Sequence, residues 1–375
     1  MYDVIVVGLG ANGSSALYHL AKAGKKVLGI DRFAPPHTHG SSHGQSRIIR
    51  QAYHESPFYV PLVQAAYEIW YDMERISGKK LLLKTGGITM GAPDADVVTG
   101  AIASALEHNL PYQLLDHKDI QKRYPALKPT VDTVGVFEPA AGILFPEDCI
   151  SVFVEQAARN GAAIHTNEMV LEIIRQRDFI KVVTNKQTYF TQKLVLSTGA
   201  WMNSLLPDLQ LPLSIERQVL YWFKNKNSAA QANVKPDNLP VYIWQSAPDE
   251  LFYGFPDLGD GIKVALHHFG RPVVPDELKD DVTGEEINRM QGIVEKYFNI
   301  SPEFNYSAVC MYTNTPDEHF IIDHHPDDER IIIASPCSGH GFKFSSLTGK
   351  IISDMTTDKP VEFDIQLFNM ARFAR

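Results

Sequence analysis

The chain is poor in the residues that mark several common designs. It has only 3 cysteines in 375 residues, and Cys149, Cys310 and Cys337 are too far apart to frame a disulfide scaffold or a four-thiolate metal centre. So little cysteine points to a cytoplasmic protein. No apolar run approaches the roughly 18 residues that cross a bilayer. Asp3 also stands where a signal peptide carries basic residues, so neither a membrane nor export is expected. Positive charge is in deficit as well, with 35 Lys and Arg against 44 Asp and Glu. Such a chain lacks the basic field that displaces counterions from phosphates, which argues against nucleic acid or anionic lipid as partners. Tandem repeats and low-complexity linkers are missing too. What remains is an ordinary globular composition, 44% hydrophobic and 21% charged, of a length that suggests about two domains.

The first 31 residues carry the clearest pattern. Tyr2 to Val7 is an apolar run that enters Gly8-Leu9-Gly10-Ala11-Asn12-Gly13, and a helical stretch then continues to Gly24. Val27 to Ile30 is a second apolar run and ends in Asp31. In this strand, turn, helix, strand arrangement Gly8 permits the tight turn, Gly10 lets a pyrophosphate approach the backbone, and Gly13 allows close helix packing. The helix N-terminus then faces the phosphates. Asp31 lies 18 residues after Gly13, where a carboxylate bonds a ribose hydroxyl and repels a 2′-phosphate. FAD or NAD therefore fits better than NADP.

Helices are expected over Val60 to Ile76 and from Thr283 to Phe298, the second opening with a Thr283/Glu286 capping box. Runs at Gly87–Met90, Val134–Phe137, Arg217–Phe223, Val241–Trp244, Leu251–Phe255 and Ile262–His267 read as an antiparallel sheet. Dinucleotide-type segments recur at Leu194–Gly199, which contains Thr198, and at Ile331–Gly341. The fold class is accordingly α/β with α+β mixing: a Rossmann-type dinucleotide-binding domain, FAD or NAD, interlaced with an antiparallel-sheet substrate domain. The expected division gives 1–82, 149–215 and 318–375 to the dinucleotide-binding domain and 83–148 with 216–317 to the substrate domain.

Several long ordered blocks resemble the monomeric sarcosine oxidase and N-methyltryptophan oxidase family of flavoproteins. These are Gly40-Ser41-Ser42-His43-Gly44-Gln45-Ser46-Arg47-Ile48-Ile49-Arg50, Tyr253-Gly254-Phe255-Pro256, Ala308-Val309-Cys310-Met311-Tyr312-Thr313, Asp317 to Asp323, and Ser338-Gly339-His340-Gly341-Phe342-Lys343-Phe344. The likeness spans nearly the whole chain. It implies FAD bound covalently through a Cys310 thioether, with Arg32, Gly199, Gly339, Gly341 and Phe342 also at the cofactor. It implies a substrate carboxylate held by Arg50 and Lys343, with Tyr312 and His340 beside it. Arg47 and Lys263 resemble the family's basic residues at the isoalloxazine, Lys263 being the oxygen-activating candidate, although a mid-strand lysine ordinarily faces solvent. His43, Tyr253 and His267 match polar positions around the cavity. None is assigned as an obligatory base, because a cationic pocket already disfavours an ammonium.

The resemblance thus implies a monomeric oxidase that uses oxygen to convert a small N-methyl amino acid, such as sarcosine or N-methyltryptophan, into an imine and hydrogen peroxide. Rival readings are a cyclic imino acid substrate, an NAD-linked dehydrogenase, or a dinucleotide sensor without turnover. The pairs His267-His268, His324-His325 and His37 with His39 are not read as a metal site, since neighbouring strand residues point to opposite faces. Asp327, Asp328 and Glu329 read as a solvated turn, and Cys149 and Cys337 as small buried hydrophobes. Relative to better-known members of the family, the loop departs at Ser42, Gln45 and Ser46, which removes a histidine, an anionic group and a methyl.

Overall fold

In the computed structural model, which describes residues 1–373, Tyr2–Val7 is an inner strand of an eight-stranded sheet. It runs parallel to Val27–Ile30 on one side and to Thr188–Leu196 on the other. Val4 to Val7 are all buried, because helices and loops cover both faces. That double burial is why the strand reads as an unbroken apolar run instead of an alternating one. Thr188–Leu196 is long enough to serve further partners. Its first half pairs antiparallel with Ile180–Thr184, and Leu194 to Leu196 run parallel with Ile331 to Ile333. Pieces from both ends of the chain and from its middle thus share one sheet. The helices Ala11–Lys22, Tyr59–Ser77, Pro146–Arg159 and Ser345–Thr356 supply Leu17, Trp70, Phe153 and Leu347 to its largest core.

The second eight-stranded sheet takes up all six of the apolar runs read from sequence. One expectation needs correction: Val241–Ala247 and Gly87–Gly91 run parallel, while their neighbours are antiparallel. No hairpin joins these two strands, so no turn dictates their relative direction. Helix Gly284–Tyr297 packs Met290, Ile293 and Tyr297 against Trp244 and Phe252 of this sheet. Its capping box forms as expected, with Glu286 N–H donating to Thr283 Oγ1 at 3.2 Å and Thr283 N–H to Glu286 Oε2 at 2.9 Å.

A small third sheet pairs Arg47–Ile49 with Gly142–Leu144 and so fixes the segment that carries Arg47 and Arg50. Asp328 and Glu329, expected in a turn, instead open the strand Asp328–Ser335. The Arg330 guanidinium, two residues on and therefore on the same face, donates to both Asp328 oxygens at 2.8 and 2.7 Å and compensates the charge. No helix among the described residues is long and apolar enough to cross a membrane.

Candidate functional site

The glycine turn closes because two of its positions have no room for a side chain. Gly8 has φ +87, and a Cβ there would lie 2.3 Å from the Ser197 carbonyl oxygen. A Cβ on Gly13 would lie 1.8 Å from the Gly8 oxygen, so the helix could not pack on the turn. Gly10 is different. A Cβ there meets nothing within 4 Å, and the residue borders a cavity of about 300 Å³. Space at a helix N-terminus beside free backbone N–H groups is what a pyrophosphate requires.

Asp31 also lines this cavity, with a further task. One of its oxygens accepts from Leu9 N–H at 2.6 Å and the other from Phe33 N–H at 2.8 Å. The carboxylate therefore ties the second strand to the glycine turn, and each oxygen retains acceptor capacity for a hydroxyl. Thr198, Gly199 and Arg32 border the same space. Arg32 donates to Asp276 at 2.6 Å, with its guanidinium over the Phe33 and Trp201 rings.

A second cavity of about 140 Å³ shares Ala11, Asn12, Ser41, Ser42 and Cys337 with the first, so the two adjoin across these residues. Cys337, expected as an inert core residue, stands at the junction. Arg47, Tyr253, His267, Cys310, Tyr312, Gly339, Gly341 and Phe342 also line it. Arg50, His340 and Lys343 complete it. Burial raises the Cys310 thiol above its ordinary range, against the pull of Arg47 and Lys263.

Of the residues singled out in the sequence, Gly13, His43 and Lys263 lie behind the lining. Lys263 is buried and gives its protons to Gly44 O (2.7 Å), Ser46 O (2.9 Å) and Ser46 Oγ (3.0 Å). Burial, then Arg47, draws its ammonium well below the usual lysine range. The same causes, with Lys263 added, draw His43 down to about 4, and its Nε2 has no partner among the described residues. Arg47 cinches the loop by donating to Ser41 O and Ser46 O at 2.6 and 2.8 Å. The anionic group absent at Gln45 is supplied from elsewhere: Glu147 accepts from Gly44 N–H and Gln45 N–H at 2.7 and 3.1 Å.

At the far end, Arg50 and Lys343 flank one aromatic ring, 4.4 and 5.0 Å from the Tyr53 centroid. Arg50 donates to Ala52 O at 2.8 Å and to Glu55 Oε2 at 2.5 Å. Burial works to raise the Glu55 pKa, but Arg50 and His54 prevail and hold it well below the carboxylate range. Behind them, buried Glu138 accepts from Gln51 N–H and Ala52 N–H at 2.7 and 2.8 Å. Lys343 donates to His340 O at 2.8 Å and to Tyr53 Oη at 3.3 Å. Burial, then Arg50, brings it to about 7.

Burial also brings His340 down to about 3, so its ring is neutral. Its Nε2 faces the Glu318 carbonyl at 3.0 Å and must carry the hydrogen, which leaves Nδ1 to accept from Tyr53 Oη–H. Tyr312 links Tyr253 Oη (3.3 Å) to His267 Nδ1 (3.4 Å), and burial keeps His267 neutral. Sequence reasoning missed Tyr53, His54, Glu55, Glu138 and Glu147. The first three follow Arg50 in one short loop, a signal that was there to be used; the two distant carboxylates gave none.

A cavity fit for a dinucleotide beside a buried cationic pocket is an arrangement suited to a cofactor-dependent oxidoreductase. Residues 3–355 match the family described as FAD dependent oxidoreductase, and the chain belongs to that family, on the branch of the monomeric sarcosine oxidases and N-methyl-L-tryptophan oxidases. It is 40% identical to a monomeric sarcosine oxidase from Streptomyces avermitilis, over 100% of this chain and 98% of that protein. It is 33% identical to an N-methyl-L-tryptophan oxidase from Yersinia pestis, over 99% of each. In three dimensions it resembles an open form of NikD, described as an unusual amino acid oxidase, with TM-score 0.86 and 23% identity over 98% of this chain and 97% of that one. The residues present fit FAD: open space at Gly10, an acid just after the second strand, and an adjoining cavity lined by Cys310.

Proposed function

We propose that this protein is an FAD-dependent oxidase of small N-methyl amino acids, producing an imine and hydrogen peroxide. The observation that carries the reading is the pair of cations, Arg50 and Lys343, on one tyrosine ring in the cavity that adjoins the dinucleotide site. A guanidinium and an ammonium converging there would hold a carboxylate by charge-assisted hydrogen bonds and orient the N-methyl group toward the cofactor. FAD, when bound, accepts the hydride equivalent and passes its electrons to oxygen. The cationic pocket disfavours an ammonium on the substrate and so favours the neutral amine that can be oxidised. Neutral His267 and its bonded tyrosines would shape the wall without adding charge. Water hydrolyses the released imine to an aldehyde and an amine.

Cys310 is the proposed attachment point of FAD, and Lys263 with Arg47 the proposed cations that favour charge appearing on oxygen. We also propose that residues 1–82, 149–215 and 318–375 form the FAD-binding domain and 83–148 with 216–317 the substrate domain, and that the protein is a cytoplasmic monomer. A screen of N-methyl amino acids for peroxide release tests the activity. Peroxide from proline or pipecolate alone would move the assignment to a cyclic imino acid. Yellow colour that stays with acid-precipitated protein, and is lost in Cys310→Ala, would support the covalent link.

A further inference from the structure

His54 has no matched role in the family resemblance and was not singled out in the sequence, yet it borders the inner cavity beside the two cations. Its Nδ1 is buried without a hydrogen-bond partner and lies 3.6 Å from Glu55 Oε2, just beyond hydrogen-bond reach. Its Nε2 is not enclosed in that way and makes no hydrogen bond among the described residues. The loop beneath it is fixed. Ser104 Oγ donates to Tyr53 O at 2.5 Å, and a Cβ on Gly100 would lie 2.3 Å from His54 O, so helix Asp96–Glu107 is pressed against the backbone here. A polar ring has been brought to the cavity on a rigid support and left with both nitrogens uncommitted. A buried polar group in that state ordinarily has a task.

The ion pair next to it suggests what the task is. Arg50 cannot give a substrate carboxylate its best geometry while Nη2 is bonded to Glu55 at 2.5 Å. If the carboxylate takes Arg50, Glu55 becomes a buried anion in need of a new partner, and His54 Nδ1 is the nearby unused group. We propose that His54, backed by Glu55, takes the proton from the substrate's ammonium as the substrate carboxylate displaces Glu55 from Arg50. This rests on the carboxylate clamp proposed above.

The exchange balances. The ammonium N–H bond breaks and leaves its electron pair on nitrogen, while a new N–H bond forms at His54 Nε2, whose lone pair is free when Nδ1–H turns to Glu55. Before the exchange, Arg50 pairs with Glu55 and the substrate is a zwitterion. Afterwards Arg50 pairs with the substrate carboxylate, the His54 imidazolium pairs with Glu55, and the amine is neutral, so the net charge is unchanged. Without substrate His54 is neutral: burial brings it to about 3, Glu55 opposing and Arg50 and Lys343 assisting. A carboxylate between the two cations offsets both, while the attraction of Glu55 remains. The other titratable groups facing this space are the Arg47 guanidinium, His267 and His340, both held neutral by burial, and Tyr253, Tyr312, Cys310 and Cys337, which burial keeps protonated; Tyr53 and Glu138 pack behind Arg50.

Propionate, which carries no nitrogen, isolates the exchange. The FAD-loaded protein is titrated with it at pH 6, where Lys343 already holds its proton, and calorimetry in buffers of different ionisation enthalpy counts the protons taken up. Uptake of about one proton per chain is expected, with none in His54→Gln and unaltered uptake in His267→Gln. No uptake in the parent protein, or undiminished uptake in His54→Gln, overturns the role of His54 and leaves the clamp standing. If Arg50→Ala binds propionate as tightly as the parent, judged by the flavin absorption change, the clamp itself falls and this inference with it. Anaerobic reduction by sarcosine provides a second readout. His54→Gln should be slowed at least about tenfold at pH 6 and approach the parent rate at high pH, where the amine is already neutral in solution; equal rates at every pH would overturn the proposal.

Discussion

The Lys263 ammonium lies 2.7 Å from the Gly44 carbonyl oxygen, which joins a strand of the second sheet to the loop that leads into Arg47. This contact combines a structural clasp with a buried positive charge. Lys263→Met should therefore have two separable effects. Reoxidation of reduced flavin should slow by roughly 10²–10³-fold, by analogy with loss of one oxyanion-type donor, with flavin reduction less affected. Stability should drop by about 1–3 kcal/mol, because the carbonyls of Gly44 and Ser46 lose their donor. Stopped-flow measurement of both half-reactions checks the first, and equal slowing of the two would remove the oxygen role. Urea unfolding checks the second.

Lys343 predicts a pH profile. Its pKa of about 7 in the empty pocket means that the ammonium is present below that pH and disappears above it. Because His54 takes up a proton as propionate binds, affinity should already weaken by up to about tenfold per unit around pH 6, and should weaken more steeply above pH 7, where Lys343 must be charged as well. In Lys343→Met the affinity should be lower and the added steepening above pH 7 should vanish. A parent profile without a break near neutrality would show that Lys343 is charged throughout or does not touch the ligand.

Glu138 supports Arg50 from behind by accepting two backbone N–H groups. Glu138→Ala leaves both donors unsatisfied in a buried place, and a loss of about 2–4 kcal/mol is expected. The Arg50 loop should loosen as well, so hydrogen exchange at Gln51 and Ala52 should quicken. Unchanged stability and exchange would mean that water replaces the carboxylate without cost.

Gly10 separates cofactor binding from folding. A valine there projects into open cavity and meets no protein atom at its Cβ. Gly10→Val should fold with parental circular dichroism but purify without visible absorption. Gly13→Ala, whose Cβ would lie 1.8 Å from Gly8 O, should lose stability as well. A yellow Gly10→Val protein would place the pyrophosphate elsewhere.

Much of the framework was legible because its causes are local. The glycine turn, the capping box at Thr283 and the apolar strand runs depend on neighbours a few residues away, and each formed where its pattern pointed. The parallel pairing of Val241–Ala247 with Gly87–Gly91 was not legible, because no turn connects them. The Asp328–Glu329 segment misled for a related reason: its charge read as a turn, but the charge is compensated by Arg330 once the segment joins a strand.

By itself the sequence determined the dinucleotide fold, through glycines that leave room for a backbone turn and an acid at the next strand's end. Through its long ordered blocks it also pointed to the flavoprotein family. Only the tertiary structure decided that Lys263 is inward and bonded to a distant loop, that Arg50 is engaged by Glu55, and that His54 stands uncommitted beside them. Those facts depend on which side chains share a small buried space. There burial and neighbouring charge draw Lys263, Lys343 and His54 well below their ordinary proton affinities, and no local pattern in the chain specifies which residues will meet.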